Sequence, residues 1–343
     1  MVAKRRIGIV GASGYTGVEL LRLVSRHRDV EVVLATGDSQ AGSLATNLYP
    51  SLATVYPDLV FDEFDPAKCE GLDAVFLGLP HEAALDVAPQ LVGKVGTVVD
   101  LSAAYRLKDA SLYPTWYKFE HTQPELLAQA VYGLPELYRE ELKGAQLIAT
   151  PGCHVTAASL VLAPLLAAGL IDPVGVIVNS ITGVSGAGRV PKYTNSFCTV
   201  SEDVNAYGLL DHRHTPEIEQ VTGAQVLFTP HLAPMNRGIL ATCYARPATG
   251  KKLTTASLLA ELARKYRGEP FVSVRVESPS TKAALGSNSV HMSARYDERT
   301  NTVLLLCALD NLTKGASGGA LQAMNIALGL DETAGLPAVG LFP

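Results

Sequence analysis

Arg6-Ile7-Gly8-Ile9-Val10-Gly11-Ala12-Ser13-Gly14-Tyr15-Thr16-Gly17 changes character twice within twelve residues. Arg6 to Val10 is a short apolar run, and Gly11 to Gly17 then carries glycine at every third position. From Val18 to Arg26 the apolar residues fall at helical spacing (Val18, Leu21, Val24), and Val30 to Ala35 is a second apolar run. Strand, glycine turn, helix and strand make a βαβ unit whose strands are buried on both faces. The G-x-x-G-x-x-G spacing is a variant of the dinucleotide fingerprint: a tight turn, no Cβ to obstruct a pyrophosphate, and the free N–H groups of a helix starting near Tyr15. Gly11, Ser13, Gly14, Tyr15, Thr16 and Gly17 are therefore candidate cofactor contacts.

Working outward, Ala74–Leu77, Thr97–Leu101 and Gln146–Ala149 read as further strands, with Glu82–Leu91 and Pro124–Gln129 as helices between them. That alternation predicts a doubly wound parallel sheet of Rossmann type over residues 1–150. Pro80, just past the third strand, joins the cofactor candidates. At the end of the second strand lies Thr36-Gly37-Asp38-Ser39. Thr36 and Ser39 can donate to a ribose 2′-phosphate, whereas Asp38 suits a ribose hydroxyl, so position alone leaves NAD against NADP open.

Beyond residue 170 the pattern shifts. Val174–Thr182, Gln225–His231, Arg237–Arg246, Val272–Glu277, Ser289–Tyr296 and Thr302–Leu309 read as strands, with helices at Pro216–Val221 and Thr255–Tyr266. These predict an α+β domain over residues 151–312, with a mixed, largely antiparallel sheet and helices on one face. Thr313–Leu328 returns to helical periodicity, and residues 313–343 are expected to go back to the first domain. The fold class is thus α/β, in two domains.

The 343 residues carry 28 Lys and Arg against 33 Asp and Glu, a net charge of −5. That balance speaks against a nucleic-acid partner, which needs clustered cations. The stretch Gly144 to Ile171 has no formal charge, but Pro151, Gly152 and Pro164 interrupt it, so a membrane span is not expected. The five cysteines form no C-x-x-C pair and no zinc spacing, which predicts reduced thiols, no metal and a cytoplasmic setting; the basic Met1–Arg6 leads into a short strand and a glycine turn and not into an apolar core with a cleavage site, so no secretion signal is expected.

One cysteine stands apart. In Ile148-Ala149-Thr150-Pro151-Gly152-Cys153-His154 an apolar strand ends, Pro-Gly turns the chain, and Cys153 falls at the start of a helix running toward Leu166. A helix N-terminus lowers a thiol's pKa, as a nucleophile for an acyl carbon requires, and the same amides can hold an oxyanion. A buried, inert thiol is the competing use, and Cys69, Cys243 and Cys307 read that way. Asp211-His212-Arg213-His214-Thr215-Pro216-Glu217 is the densest candidate for a partner acid or base, with Thr215 as N-cap and Pro216 at the first helical position. A solvated polar loop would look the same. Ser185, Gly186 and Arg189, in the small-residue run Ser180–Arg189, and Arg106, past the strand ending at Leu101, are candidate substrate contacts.

Taken together, GASGYTG at 11–17, DLSAAYRL at 100–107, TPGCHVTA at 150–157, SITGVSGAGR at 180–189, NSFC at 195–198, HRHTPEIEQ at 212–220, FTPHLAPMNRGIL at 228–240 and DNLTKGASGGALQAMN at 310–325 resemble the N-acetyl-gamma-glutamyl-phosphate reductases. The resemblance implies a fold like that of the semialdehyde and glyceraldehyde-phosphate dehydrogenases. It also implies reductive dephosphorylation of an acyl phosphate, N-acetylglutamyl 5-phosphate, with NADP(H), in a cytoplasmic homo-oligomer, dimer or tetramer. Cys153 matches the family nucleophile and His214 its acid/base, with His212 and Glu217 in support. Arg106 falls where the related aspartate-semialdehyde dehydrogenases use an arginine on the acyl phosphate, and Asn311 and Lys314 would lie near the nicotinamide. His154 and Val155 stand where the family commonly has an aromatic residue and proline. Alternatives are a lysine-pathway aminoadipyl-phosphate reductase, which tends to lack the Ser185–Arg189 run, aspartate-semialdehyde dehydrogenase, which lacks HRHTPEIEQ, and a nicotinamide-binding regulator without turnover.

Overall fold

The computed structural model describes residues 3–343. The chain divides into two units, one of residues 1–151 with 316–336 and one of 152–315 with 337–343.

In the first unit, β1 (Arg5–Val10), β2 (Val30–Ala35), β3 (Ala74–Leu77), β4 (Thr97–Asp100), β5 (Val131–Tyr132) and β6 (Leu147–Ala149) form one sheet in the order β2-β1-β3-β4-β6-β5. Every pairing in it is parallel. Such strands need cover on both faces, and β3, β4 and β6 are buried throughout. Helices α1 (Tyr15–Val24) and α2 (His81–Leu91) supply the crossovers. The helix Gly318–Ala327 belongs to this unit as well: Ser317 Oγ donates to Thr16 O at 2.8 Å, and Asn325 meets the buried His27 at 3.2 Å.

The strand order reverses between β1 and β3, the switch point at which open α/β sheets bind ligands. The glycines there have separable reasons. Gly11 has φ +87°, and a Cβ on it would lie 2.4 Å from Gly78 O, just past β3. A Cβ on Gly17 would lie 2.4 Å from Ala12 Cα, so α1 packs on the turn only without one.

In the second unit, β7 (Val176–Gly183), β8 (Asn205–Ala206), β9 (Val226–Ala233), β10 (Ile239–Ala245), β11 (Val272–Val274), β12 (Val290–Asp297) and β13 (Thr302–Leu309) form a sheet in the order β11-β12-β13-β10-β7-β9-β8. The pairs β7/β9 and β11/β12 are parallel and the other four antiparallel. Burial alternates along β7 and β10, as expected of a sheet covered on one face. The cover comes from α3 (Cys153–Ala167), α4 (His214–Thr222) and α5 (Thr255–Lys265). Among the 15 residues of α3 all but a few are buried, so its apolar surface runs round the whole helix.

Two local expectations are corrected. Helix α4 begins at His214, with Arg213 as the capping residue in helical conformation, and not with Thr215 as N-cap. The cap comes from His212 instead: its Nδ1 accepts from His214 N at 3.1 Å and its carbonyl from Thr215 N at 2.9 Å. The periodic run Thr313–Leu328 is also not one helix. Thr313–Ser317 is π-helical, with Gly315 N donating to Asp310 O at 2.9 Å, and the α-helix starts at Gly318. Asp310 causes the break, since its Oδ1 accepts from Leu312 N and Thr313 N at 2.8 and 2.9 Å.

Candidate active site

The nucleotide-binding features lie in the first unit. Gly14 is the N-cap of α1 and no side chain caps the helix, so no cap side chain takes up its first N–H groups. A Cβ on Gly14 would meet only Gly11 O, at 3.5 Å. Unlike Gly11 and Gly17, then, Gly14 answers no packing need of the protein, and the room it leaves suits a phosphate on the helix N-terminus. Ser13 Oγ donates to Gly37 O at 3.0 Å, and Thr36 Oγ1 accepts from Gly11 N at 3.2 Å. Thr36 is buried, so it shapes the turn from beneath, while Ser39 and Asp38 are exposed. Tyr15 and Thr16 are half-buried at the start of α1, and Pro80 is the exposed N-cap of α2. The residues present therefore fit a dinucleotide.

This separates two substitutions. Gly11→Ala is expected to destabilise the chain by about 2 kcal/mol or more, from the left-handed backbone and the clash together. Gly14→Ala is expected to leave the melting temperature within about 3 °C while weakening NADP binding about tenfold, read by nucleotide fluorescence titration.

Arg106 also lies in the first unit, buried. Its Nε donates to Thr150 O at 2.7 Å and its Nη2 to Leu101 O at 2.9 Å, tying together the chain just past β4 and β6. Asp100 anchors the same turn, accepting from Ser102 N and Oγ, both at 2.8 Å. Burial pushes the Asp100 carboxyl up to about 6 against the opposing Ser102 hydrogen bonds.

The thiol lies in the second unit. All five cysteines are outside disulfides; Cys69, Cys243 and Cys307 are buried, Cys198 is exposed and Cys153 half-buried. Burial pushes Cys69 to about 11 and Cys243 to about 12, which makes both inert. Cys153 is the first residue of α3, behind the N-cap Gly152 and without a side-chain cap. Gly152 has φ −64° and ψ 143°, which any residue adopts, so the turn itself does not need glycine. Room does: a Cβ there would lie 2.4 Å from His214 Nε2. The imidazole of His214 is thus pressed against the turn that carries the sulfur. Glu217, fully buried one helical turn further along α4, accepts from Gly152 N at 2.9 Å. Its carboxylate locks α4 to the start of α3. On the other side, a Cβ on Gly315 would lie 2.9 Å from Cys153 Cβ, so the π-helical segment also abuts the cysteine.

Around this core stands a wall of rings. His212 lies 4.7 Å from His214 and 5.2 Å from Phe228, centroid to centroid. Burial first, then the Arg213 charge, holds His212 down to about 4, so it is neutral. Its Nδ1 is the acceptor for His214 N, which puts the ring proton on Nε2. His154, next after the cysteine, is buried and bonded to Ser180 Oγ and Tyr207 OH.

The remaining expected residues split. Asn311 Oδ1 accepts from Gly238 N at 2.8 Å and its Nδ2 donates to Ser185 Oγ at 3.0 Å, so it holds the Ser185–Gly186 loop. Lys314 is buried within the π-helical segment. Gly186 is exposed and Arg189 half-buried. Tyr207, Ser180 and the spacing role of Gly152 escaped the sequence reading. Ser180 alone had a signal, as a polar residue in the inward row Val176, Val178, Ser180 of β7. Among the described residues no helix is long and apolar enough to cross a membrane.

Residues 6–145 match the family described as semialdehyde dehydrogenase, NAD binding domain, and residues 153–311 the one described as semialdehyde dehydrogenase, dimerisation domain. The N-acetyl-gamma-glutamyl-phosphate reductase of Desulforudis audaxviator is 47% identical, the alignment covering 98% of this chain and 99% of that protein. The protein of the same name from Magnetococcus marinus is 44% identical, over 98% and 99%. Among solved structures, aspartate semialdehyde dehydrogenase with NADP from Candida albicans superposes with a TM-score of 0.69 at 18% identity, over 94% of this chain and 99% of that one. The Vibrio cholerae enzyme aspartate semialdehyde dehydrogenase II gives a TM-score of 0.68 at 16% identity, over 94% and 98%; both likenesses are of fold. By the extent and identity of the sequence match, the chain belongs to the N-acetyl-gamma-glutamyl-phosphate reductase family of semialdehyde dehydrogenases.

Proposed function

We propose that the chain catalyses the NADPH-dependent reductive dephosphorylation of N-acetylglutamyl 5-phosphate to N-acetylglutamate 5-semialdehyde, a step of arginine biosynthesis, through a thioester on Cys153. What carries this is the Cys153 turn: a half-exposed thiol on the uncapped start of a 15-residue helix, with a buried imidazole packed against the residue before it.

The Cys153 sulfur attacks the acyl carbon, the C–S bond forms, and the C–O bond to phosphate breaks with its electron pair leaving on the phosphate. The N–H groups at the start of α3 face the oxyanion that develops on the way. Gly11, Gly14 and Gly17 would hold NADPH, which would supply the hydride. The sulfur departs as the aldehyde forms, and His214 supplies or takes the proton at the acyl oxygen. Glu217 keeps its grip on Gly152 N throughout, so its part is to fix the nucleophile's position. Arg106 is assigned to the phosphate, and Ser185, Gly186, Arg189 and His212 to the remainder of the substrate. Ser13, Tyr15, Thr16, Thr36, Ser39, Pro80, Asn311 and Lys314 are assigned to the cofactor. The reading includes a cytoplasmic homo-oligomer, supported by the dimerisation domain in the description matched at 153–311.

The test is run in reverse, with inorganic phosphate and the semialdehydes of N-acetylglutamate, aspartate and aminoadipate, each with NADP and NAD. The N-acetylglutamate compound with NADP is expected to exceed every other pair in kcat/KM by at least about tenfold, the discrimination that a methylene or a lost polar contact provides. Equal rates for aspartate semialdehyde would overturn the substrate assignment.

A further inference from the structure

His154 is a buried titratable group for which the reaction above has no use. It follows the cysteine directly in sequence and lies on α3, yet its two ring nitrogens reach two other elements. Nδ1 is 2.7 Å from Ser180 Oγ on β7, and Nε2 is 3.2 Å from Tyr207 OH, just past β8. The ring is enclosed by those of His214, Phe228 and His212, at 5.6, 5.5 and 6.1 Å. Tyr207 is fixed in turn by its backbone, whose N–H donates to Pro230 O at 3.1 Å, and by the His212 ring at 5.5 Å.

Counting protons decides which way the chain of hydrogen bonds runs. A neutral imidazole has one N–H and each hydroxyl one O–H, so two bonds use two of three protons and one is left over. If Nδ1–H donated to Ser180, the spare proton would be that of Ser180, which is fully buried and among the described residues has no acceptor besides His154. A buried donor without an acceptor is costly. The favoured arrangement therefore has Ser180 Oγ–H donating to Nδ1 and Nε2–H donating to the Tyr207 oxygen. The spare proton is then on Tyr207, the half-buried end of the chain.

Resting on the reaction proposed above, we infer that His154 is a positioning residue: by bridging Ser180 and Tyr207 it leaves the Tyr207 O–H to donate to negative charge at the Cys153 centre. Protonation states agree with it. Burial, then the neighbouring His212 imidazole, which disfavours a second positive ring, holds His154 down to about 3, so one N–H is all it has. Tyr207 is pushed above its ordinary value by burial and then by a charge on the Cys153 sulfur, with Arg213 opposing, so it keeps its proton and lies within the field of that sulfur.

The test has two readouts in the intact protein. Tyr207→Phe keeps the ring and is expected to lower kcat about a hundredfold with KM within about twofold, as loss of a donor to developing charge does. His154→Asn, whose amide stands only where Nδ1 was, should lower kcat equally, and the double variant should be no worse than either single. His154→Gln puts an N–H where Nε2 was and should recover at least about tenfold over His154→Asn. The second readout needs no turnover: the pH midpoint for iodoacetamide alkylation of Cys153 should rise by roughly half a unit or more in Tyr207→Phe, since the thiolate loses a donor. An unmoved midpoint and kcat in Tyr207→Phe, or losses that multiply in the double variant, would overturn the inference. If His154→Asn does not fold, Tyr207→Phe and His154→Gln decide between them. Retained turnover in Cys153→Ala would sink the thioester reaction itself; inactivity there with normal Tyr207→Phe would sink only the role of His154.

Discussion

Cys153→Ser is expected to reduce phosphate-dependent NADP reduction by N-acetylglutamate 5-semialdehyde at least about ten-thousandfold, with melting temperature and NADP affinity within error of the parent. Serine keeps the size and the helix start but not the chemistry. A hydroxyl at the head of α3 is nowhere near ionised at neutral pH, whereas a thiol is far more acidic and, as the thiolate, the stronger nucleophile. It is also a far poorer leaving group, so any ester that formed would not release aldehyde. Alkylation gives an orthogonal check: iodoacetamide should label Cys153 at neutral pH faster than Cys198 despite the latter's greater exposure. The buried thiols, held up at about 11 and 12, supply the unreactive control. A Cys153→Ser protein that turned over at a tenth of the parental rate would remove covalent catalysis from the account, and with it the purpose of the His214 and Glu217 arrangement.

Much of the frame was legible because the signals were local. Ala74–Leu77 and Thr302–Leu309 have the ends that apolar run and flanking turn indicated, and Cys153 starts its helix where Pro-Gly ends the preceding strand. What escaped was set by partners distant in sequence. The strands Val131–Tyr132 and Asn205–Ala206 have two residues each, too short for any periodicity. The start of α4 moved because His212 supplied the cap that Thr215 was expected to give. Thr36 stands on the expected strand end, but its hydroxyl turns inward to Gly11 N, a choice made by a neighbour 25 positions away.

The site divides along the same line. Residue types were readable, because a nucleophile, a neutral-range acid and a glycine turn each have a chemical signature. Their couplings were not. Glu217 could be named beside His214, yet nothing in the spacing says that its side chain accepts from Gly152 N. Tyr207 sits in no motif, and only the fold brings it to His154.

Gly152→Ala follows from such a coupling, and a loss of about a hundredfold to a thousandfold in kcat is expected, since displacing a proton donor by an ångström is enough for that. The backbone at 152 accepts alanine without strain, so folding should be nearly untouched by conformation. The added Cβ, however, would stand 2.4, 2.7 and 2.9 Å from Nε2, Cδ2 and Cε1 of His214, all inside contact distance. The ring cannot yield freely, with His212 at 4.7 Å and His154 at 5.6 Å. Either His214 leaves its place or the turn lifts and strains the 2.9 Å bond from Gly152 N to Glu217. Alkylation of Cys153 separates the two: if only the imidazole moves, labelling stays within about tenfold of the parent while kcat falls. A His214→Ala background supplies the second check, because there the extra methyl has room. Gly152→Ala should then cost almost nothing beyond His214→Ala alone, a coupling as large as the single effect. Full additivity would mean that the glycine serves the turn and not the histidine.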